Sequence, residues 1–325
     1  MTWLSKLSPD IRQYMIVTGN YWAFTLTDGA LRMLVVLYFY GLGYSPIEVA
    51  MLFIFYEVFG VITNLVGGWL GARLGLNKTM NIGLFLQIIA LAMLVLPATM
   101  LTVPWVMTAQ ALSGIAKDLN KMSAKSSIKM LVADDAQAKL YKWIAILTGS
   151  KNALKGVGFF LGGLLLSLFG FTGAVFGMAV ALSMVWVFSL THLKKDLSKA
   201  SRKPKFTDIF SKSKAINGLS AARMFLFGAR DVWFVVALPV YLATEFGWQH
   251  WYVGGFLAVW VIGYGFIQSV APSLTGLNKG VLPSGGMAVR WALLLCIVPM
   301  IIAMSLTFDW HIKFIVIIGL LIFGA

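Results

Sequence analysis

The sequence has 325 residues, of which 59% are hydrophobic and 12% charged, with a formal net charge of +14. Soluble domains carry about 25% charged residues, and a water-soluble fold of this length has no interior large enough for so much apolar side chain. The single cysteine, Cys296, excludes an intrachain disulfide and a multi-thiolate metal site, and His192, His250 and His311 are widely spaced, so no metal and no cofactor is expected.

Crossing a bilayer takes about 20 mostly apolar residues as helix, because the backbone must satisfy its own hydrogen bonds there. Met1 to Asp10 is polar, and the first apolar run is long and leads directly into another, so no cleavable signal peptide is expected. The apolar runs predict helices near 15–41, 46–72, 79–98, 103–122, 140–168, 173–192, 216–243, 251–271, 286–306 and from 313 onward. The last run, Phe314 to Ala325, is apolar or glycine throughout yet too short to span, so the chain is expected to stop within a tenth helix of a longer protein.

Basic residues divide between the loops unevenly. Lys6, Arg12, Arg73, Lys78, Lys125, Lys129, Lys139, eight bases from Lys194 to Lys214, and Lys279 fall on one side, against Lys313 on the other. The positive-inside rule then places the N-terminus in the cytoplasm. This placement also explains the high net charge through loops at a membrane surface, so no nucleic-acid partner is expected. The basic stretch separates a six-helix half, residues 1–193, from an incomplete second half, 216–325, with 194–215 as a cytoplasmic linker. Asp28-Gly29-Ala30-Leu31-Arg32 in the first span is loosely echoed by Gly228-Ala229-Arg230-Asp231 in the seventh, as in transporters built from internal repeats.

Ionisable side chains inside a bilayer are costly and need a reason. The mid-bilayer candidates are Asp28, Arg32, Glu57, Lys117, Asp118, Lys121, Lys151, Lys155, Arg223, Arg230, Asp231 and Arg290: eight cations and four acids. Positions four apart share a helix face, so Asp28 can pair with Arg32, Lys117 lies in line with Lys121, and Lys151 with Lys155. Like charges on one buried face call for an anion or a water-filled cavity. Arg32, Lys151, Lys155, Arg230 and the amide of Asn20 are therefore candidate substrate-binding residues. Asp28 and Glu57, the latter without an obvious local partner, are candidate proton carriers.

Structural readings stand beside these. Asp28 and Arg32 can serve only as a packing ion pair; Lys117, Asp118 and Lys121 as an interfacial network; Lys151 and Lys155 by snorkelling. Glu57 can bond a neighbouring helix, and Asn20 and Asn64 can join helices. On the fifth span Gly158 and Gly162 form a small-residue face that permits close helix approach.

Between the second and third spans, Gly68, Arg73, Gly75 and Lys78 resemble the loop signature of the major facilitator superfamily, with Ala72 standing where that signature carries aspartate. The resemblance implies an all-α polytopic membrane protein, a bundle of two six-helix halves, here truncated in the tenth helix, with these four residues in a gating loop. Glycines permit the tight turn, and the cations hold it at the anionic cytoplasmic face.

Over the whole chain the sequence is similar to the organoarsenical-efflux permeases of bacterial arsenic-resistance operons, the ArsJ family. The similarity rests on Asp28 to Leu34, Tyr44 to Ala50, Tyr56 to Gly60 and Asn64 to Gly68. It implies a bacterial inner-membrane exporter of 1-arseno-3-phosphoglycerate, functionally linked to the glyceraldehyde-3-phosphate dehydrogenase that makes this ester. No ATP-binding loop is present in the sequence, which fits proton antiport. The alternatives are a carrier of another phosphorylated metabolite or a broad drug exporter. A membrane-embedded enzyme or a receptor has no nucleophile elbow or sizeable soluble domain to support it.

Overall fold

The computed structural model describes residues 9–131, 137–193, 213–231, 238, 241–242, 245–248, 250–274, 285–310 and 312–324. Hydrocarbon leaves no water for the backbone, and only segments that bond within themselves or close into barrels are stable in it. The described residues accordingly form helices and no strand: α1 (Pro9–Gly41), α2 (Pro46–Met51), α3 (Ile54–Leu74), α4 (Leu76–Met93), α5 (Val103–Leu131), α6 (Gln137–His192), α7 (Lys214–Asp231), α8 (His250–Leu274), α9 (Gly285–Phe308) and α10 (Ile312–Gly324). Among these residues, six helical stretches are long and apolar enough to cross a bilayer: Ile11–Gly41, Ile47–Leu74, Leu76–Met93, Ala138–His192, Gly255–Leu274 and Gly285–Phe308. Helix α5 is not one of them, because Gln110, Lys117, Asp118, Asn120 and Lys121 interrupt its apolar run.

Several boundaries differ from the sequence expectation for local reasons. The second predicted span is broken at Leu52 and Phe53. Its first piece, α2, opens with a capping box: Ser45 Oγ accepts from the Glu48 amide and the Glu48 carboxylate accepts from the Ser45 amide at 2.7 Å, with proline in the first turn. The fourth span continues as helix to Leu131, past its apolar part. The fifth and sixth spans run together in α6, whose 56 residues would measure about 80 Å as straight helix. At Gly170 the backbone instead turns through φ 65°, ψ 178°, a conformation that glycine adopts without the penalty a Cβ would bring. Helix α7 covers the first part of the seventh predicted span, whereas residues 232–237 and most of the predicted linker, 194–212, lie outside the described residues.

The chain divides into two compact units, Met1–Ile209 and Phe210–Ala325. In the first, α1 packs along α6, and α5 lies against both α3 and α4. Small residues set these distances. A Cβ on Gly29 would stand 2.8 Å from the Lys155 carbonyl oxygen, one on Gly158 would stand 2.7 Å from that of Leu26, and one on Gly162 would collide with the Ala30 carbonyl. On α3 the buried face is Tyr56, Gly60, Thr63, Gly67 and Gly71, and the opposite face, with Val58, Val61, Ile62 and Leu65, is exposed. Gly114 of α5 meets the Tyr56 backbone. The core is completed by Val17, Phe24, Leu31, Leu34 and Phe39 of α1, and Tyr38 stacks on Phe171 at 4.1 Å between centroids.

The second unit has its own cluster, in which Leu238, Leu242, Val253, Ile302, Val316 and Leu320 are buried together. Trp260 Nε1 donates to the Leu320 carbonyl at 2.7 Å, tying α8 to α10.

Gly162→Leu should lower the midpoint of thermal unfolding of detergent-solubilised protein, with an overpacking cost of about 1–3 kcal/mol. Gly177→Ala, where a Cβ has nothing within 4 Å, should leave that midpoint unchanged.

Candidate functional site: a buried charge cluster on four helices

The close α1 to α6 contact brings Lys155 beside α1, and the small-residue faces of α3 and α5 bring Tyr56 and Glu57 against Lys117 and Asp118. The result is one cluster in the first unit. Tyr56 is at its centre, 1% exposed. Its hydroxyl donates to Asp28 Oδ1 at 2.7 Å, and its ring lies 4.5 Å from the Arg32 guanidinium and 4.1 Å from the Lys117 ammonium. Arg32 also lies over Phe53, at 5.5 Å.

Three helices share the ion pairs. Glu57 bridges two cations: Oε1 accepts from Arg32 at 2.9 Å, and Oε2 lies 3.5 Å from Lys117 Nζ. Asp118 Oδ1 accepts from Lys121 at 2.8 Å, and Oδ2 lies 3.9 Å from Lys117. Gly60, one turn along α3 from Glu57, leaves room for this network, since a Cβ there would stand 2.9 Å from Asp118 Oδ2.

Lys151 and Lys155 of α6 take part in no ion pair among the described residues. Lys155 lies in the electrostatic field of Arg32, Lys151, Asp28 and Lys117, and Lys151 in that of Lys121, Lys125, Asp28 and Lys117. The Lys155 ammonium lies over the Phe159 ring, 5.8 Å from its centroid. Arg32, Lys117, Lys121, Lys125, Lys151 and Lys155 thus share this region with Asp28, Glu57 and Asp118, six cations against three carboxylates. Such a surplus in a weakly polar setting favours an added anion.

The placement corrects the sequence reading at several positions. Glu57, for which the sequence offers no local partner, is held by cations on two neighbouring helices. Asp28 and Arg32 do not pair along α1; each faces α3, the first toward Tyr56 and the second toward Glu57. Asn20 is 2% exposed, and its amide is engaged within the bundle: Nδ2 donates to Ser189 Oγ at 2.8 Å, and Ser189 donates to Asn81 Oδ1 at 2.7 Å. It joins α1, α4 and α6 and offers no donor to a ligand. Arg230 is in α7, but its side chain, with those of Arg223 and Asp231, lies outside the described residues. Tyr56 was not expected at the site. The one local signal was an aromatic hydroxyl next to a carboxylate in the middle of a span.

A sequence profile described as Major Facilitator Superfamily matches residues 17–325. The chain belongs to the major facilitator superfamily. As a major facilitator it is a multi-pass membrane transporter. Among solved structures it is similar to the human organic anion transporter MFSD10 (TETRAN), at 15% identity and a TM-score of 0.71, covering 98% of this chain and 83% of that one. It is also similar to a peptide transporter POT in complex with sulfate, at 16% identity and a TM-score of 0.52, covering 90% of this chain and 58% of that one. At these identities the likeness is one of fold. No curated protein matches the sequence.

In this major facilitator the signature loop is a single-residue corner. Gly75, at φ 96°, ends α3 and begins α4. Its amide donates to the Gly71 carbonyl at 2.9 Å, and its own carbonyl accepts from Thr79 Oγ1 at 2.9 Å. Arg73 covers Trp69, with the guanidinium 5.2 Å from the ring centroid, and Lys78 is exposed. Gly68 has no neighbour that a Cβ would meet, whereas Gly71 is pinned against Met122, so the close approach falls three residues beyond the signature's first glycine.

Asn20→Ala should cost about 1 kcal/mol of stability, the scale of an interhelical hydrogen bond in a membrane, read as a lower unfolding midpoint. Binding of a phosphorylated anion by the same variant should stay within about twofold of wild type.

Proposed function

We propose that the protein is a secondary exporter of an organic anion carrying phosphate-like groups, with 1-arseno-3-phosphoglycerate as the substrate. The observation that carries this reading is the cationic surplus on α1, α5 and α6, where Lys151 and Lys155 have no ion-pair partner among the described residues. Arg32 supplies a planar fork suited to two oxygens of one phosphate or arsenate group, and the lysines supply compact charges that can follow a moving ligand. An arsenate ester is a hard oxyanion, so recognition by nitrogen cations needs no thiolates.

Two fold relatives fit this chemistry: one is described as an organic anion transporter and the other as a complex with sulfate, an oxyanion. The similarity to the ArsJ family supports the narrower substrate, arsenate resistance and the functional link to glyceraldehyde-3-phosphate dehydrogenase. The basic loops support an N-terminus in the cytoplasm, and the ArsJ resemblance supports a bacterial inner membrane. Residues 1–193 and 216–325 act as the two rocking halves joined by the 194–215 linker. Asp28 and Glu57 are the carboxylates available for proton exchange, and Gly68, Arg73, Gly75 and Lys78 form the gating loop.

Everted vesicles carrying the full-length protein should accumulate the labelled ester on imposition of a proton gradient, and excess 3-phosphoglycerate should compete while a lipophilic cation should not. Arg32→Ala and Lys155→Ala should each cut uptake at least about tenfold, the scale of one charge-assisted hydrogen bond. Normal uptake by both variants would refute the site, and failure of the active wild type to take up the ester would refute the substrate.

A further inference from the structure

The three carboxylates of the cluster are not equivalent. The side chains of Asp118 and Glu57 are 5% and 59% exposed, and Asp28 as a residue is 6% exposed. Asp28 is held by the Tyr56 hydroxyl and Asp118 by Lys121, both in the packed interior. Glu57 instead extends from the edge of α3 on a flexible stem, and its two oxygens reach one cation on α1 and another on α5. Both cations have other support. Arg32 rests on Tyr56 and Phe53, and Lys117 rests on Tyr56 and lies near Asp118. Withdrawal of Glu57 would therefore leave Arg32 and Lys117 in position, presenting donors to whatever replaces it.

The geometry points to Glu57 as a built-in competitor: its carboxylate occupies the position between Arg32 and Lys117 that a substrate oxyanion takes, and binding requires its displacement. The assignment rests on the anion-site reading above and adds a rule of substrate selection. A monoanionic carboxylate entering the site merely exchanges one carboxylate for another. A phosphate or arsenate monoester brings up to two charges and three terminal oxygens, enough to replace Glu57 on Arg32 and Lys117 and still engage Lys155. Glu57 thus sets a threshold that favours dianionic groups over simple carboxylates.

The test is calorimetric binding of glycerol 3-phosphate and of lactate to the full-length protein in lipid nanodiscs. Glu57→Gln should bind both anions more tightly than wild type, with the larger gain for lactate, so that the preference for the phosphate ester falls about tenfold. Glu48→Gln removes an equal charge from an exposed carboxylate in α2, outside the cluster, and it should leave the preference unchanged, with thermal unfolding used to verify that the variant is folded. Equal shifts in the two variants would reduce the effect to net charge and overturn the assignment, as would unchanged or weaker binding by Glu57→Gln, or lactate binding undetectable in both wild type and Glu57→Gln. If Arg32→Ala and Lys155→Ala bind glycerol 3-phosphate as wild type does, the anion site itself fails. If they lose it while Glu57→Gln gains nothing, only the competitor role fails.

Discussion

A charge taken into hydrocarbon has no water to stabilise it, and the first unit meets that constraint by gathering its charges around Tyr56. The ring lies close to both Arg32 and Lys117, and the hydroxyl bonds to Asp28, so one side chain from α3 serves groups on α1 and α5. Cation–π contacts gain strength where water is excluded. They leave the nitrogens' outward donors available, unlike a buried carboxylate that would consume them. This combination supports both cations while leaving their nitrogens able to reach Glu57.

The cluster depends on helix packing that small residues permit. Gly29 and Gly158 allow α1 and α6 to touch backbone to backbone, and Gly114 lets α5 meet α3 at Tyr56. Between lipid-facing helices there is little hydrophobic driving force, so association relies on close van der Waals contact and interhelical hydrogen bonds. The Asn20, Ser189 and Asn81 chain supplies the latter across three helices. Glycines and amides thus hold the cations at short range, against their mutual repulsion.

Division of labour among the carboxylates follows from burial. Asp28 and Asp118 are enclosed and fixed by short hydrogen bonds, and Glu57 is exposed and bridging. This cluster is spread over several helices, so a relative shift of those helices would alter the partners of its charges together.

Much of this protein was determined by the sequence alone. Apolar runs of spanning length require helices in a bilayer, loop lysines and arginines are legible without a fold, and the Gly68 to Lys78 signature is local, so helical class and superfamily follow from short-range information. The spacing of Gly158 and Gly162 likewise marks a packing face within one helix. Tertiary structure decided which charges meet. Glu57 finds Arg32 and Lys117 at separations of 25 and 60 residues, and Asp28 turns to Tyr56 in place of the arginine one turn away. It also assigned Asn20 to the bundle interior and left Lys151 and Lys155 outside every ion pair among the described residues. The physical reason is that helical periodicity specifies which residues share a face, whereas the register between helices, set by contacts between distant small residues, specifies what that face touches.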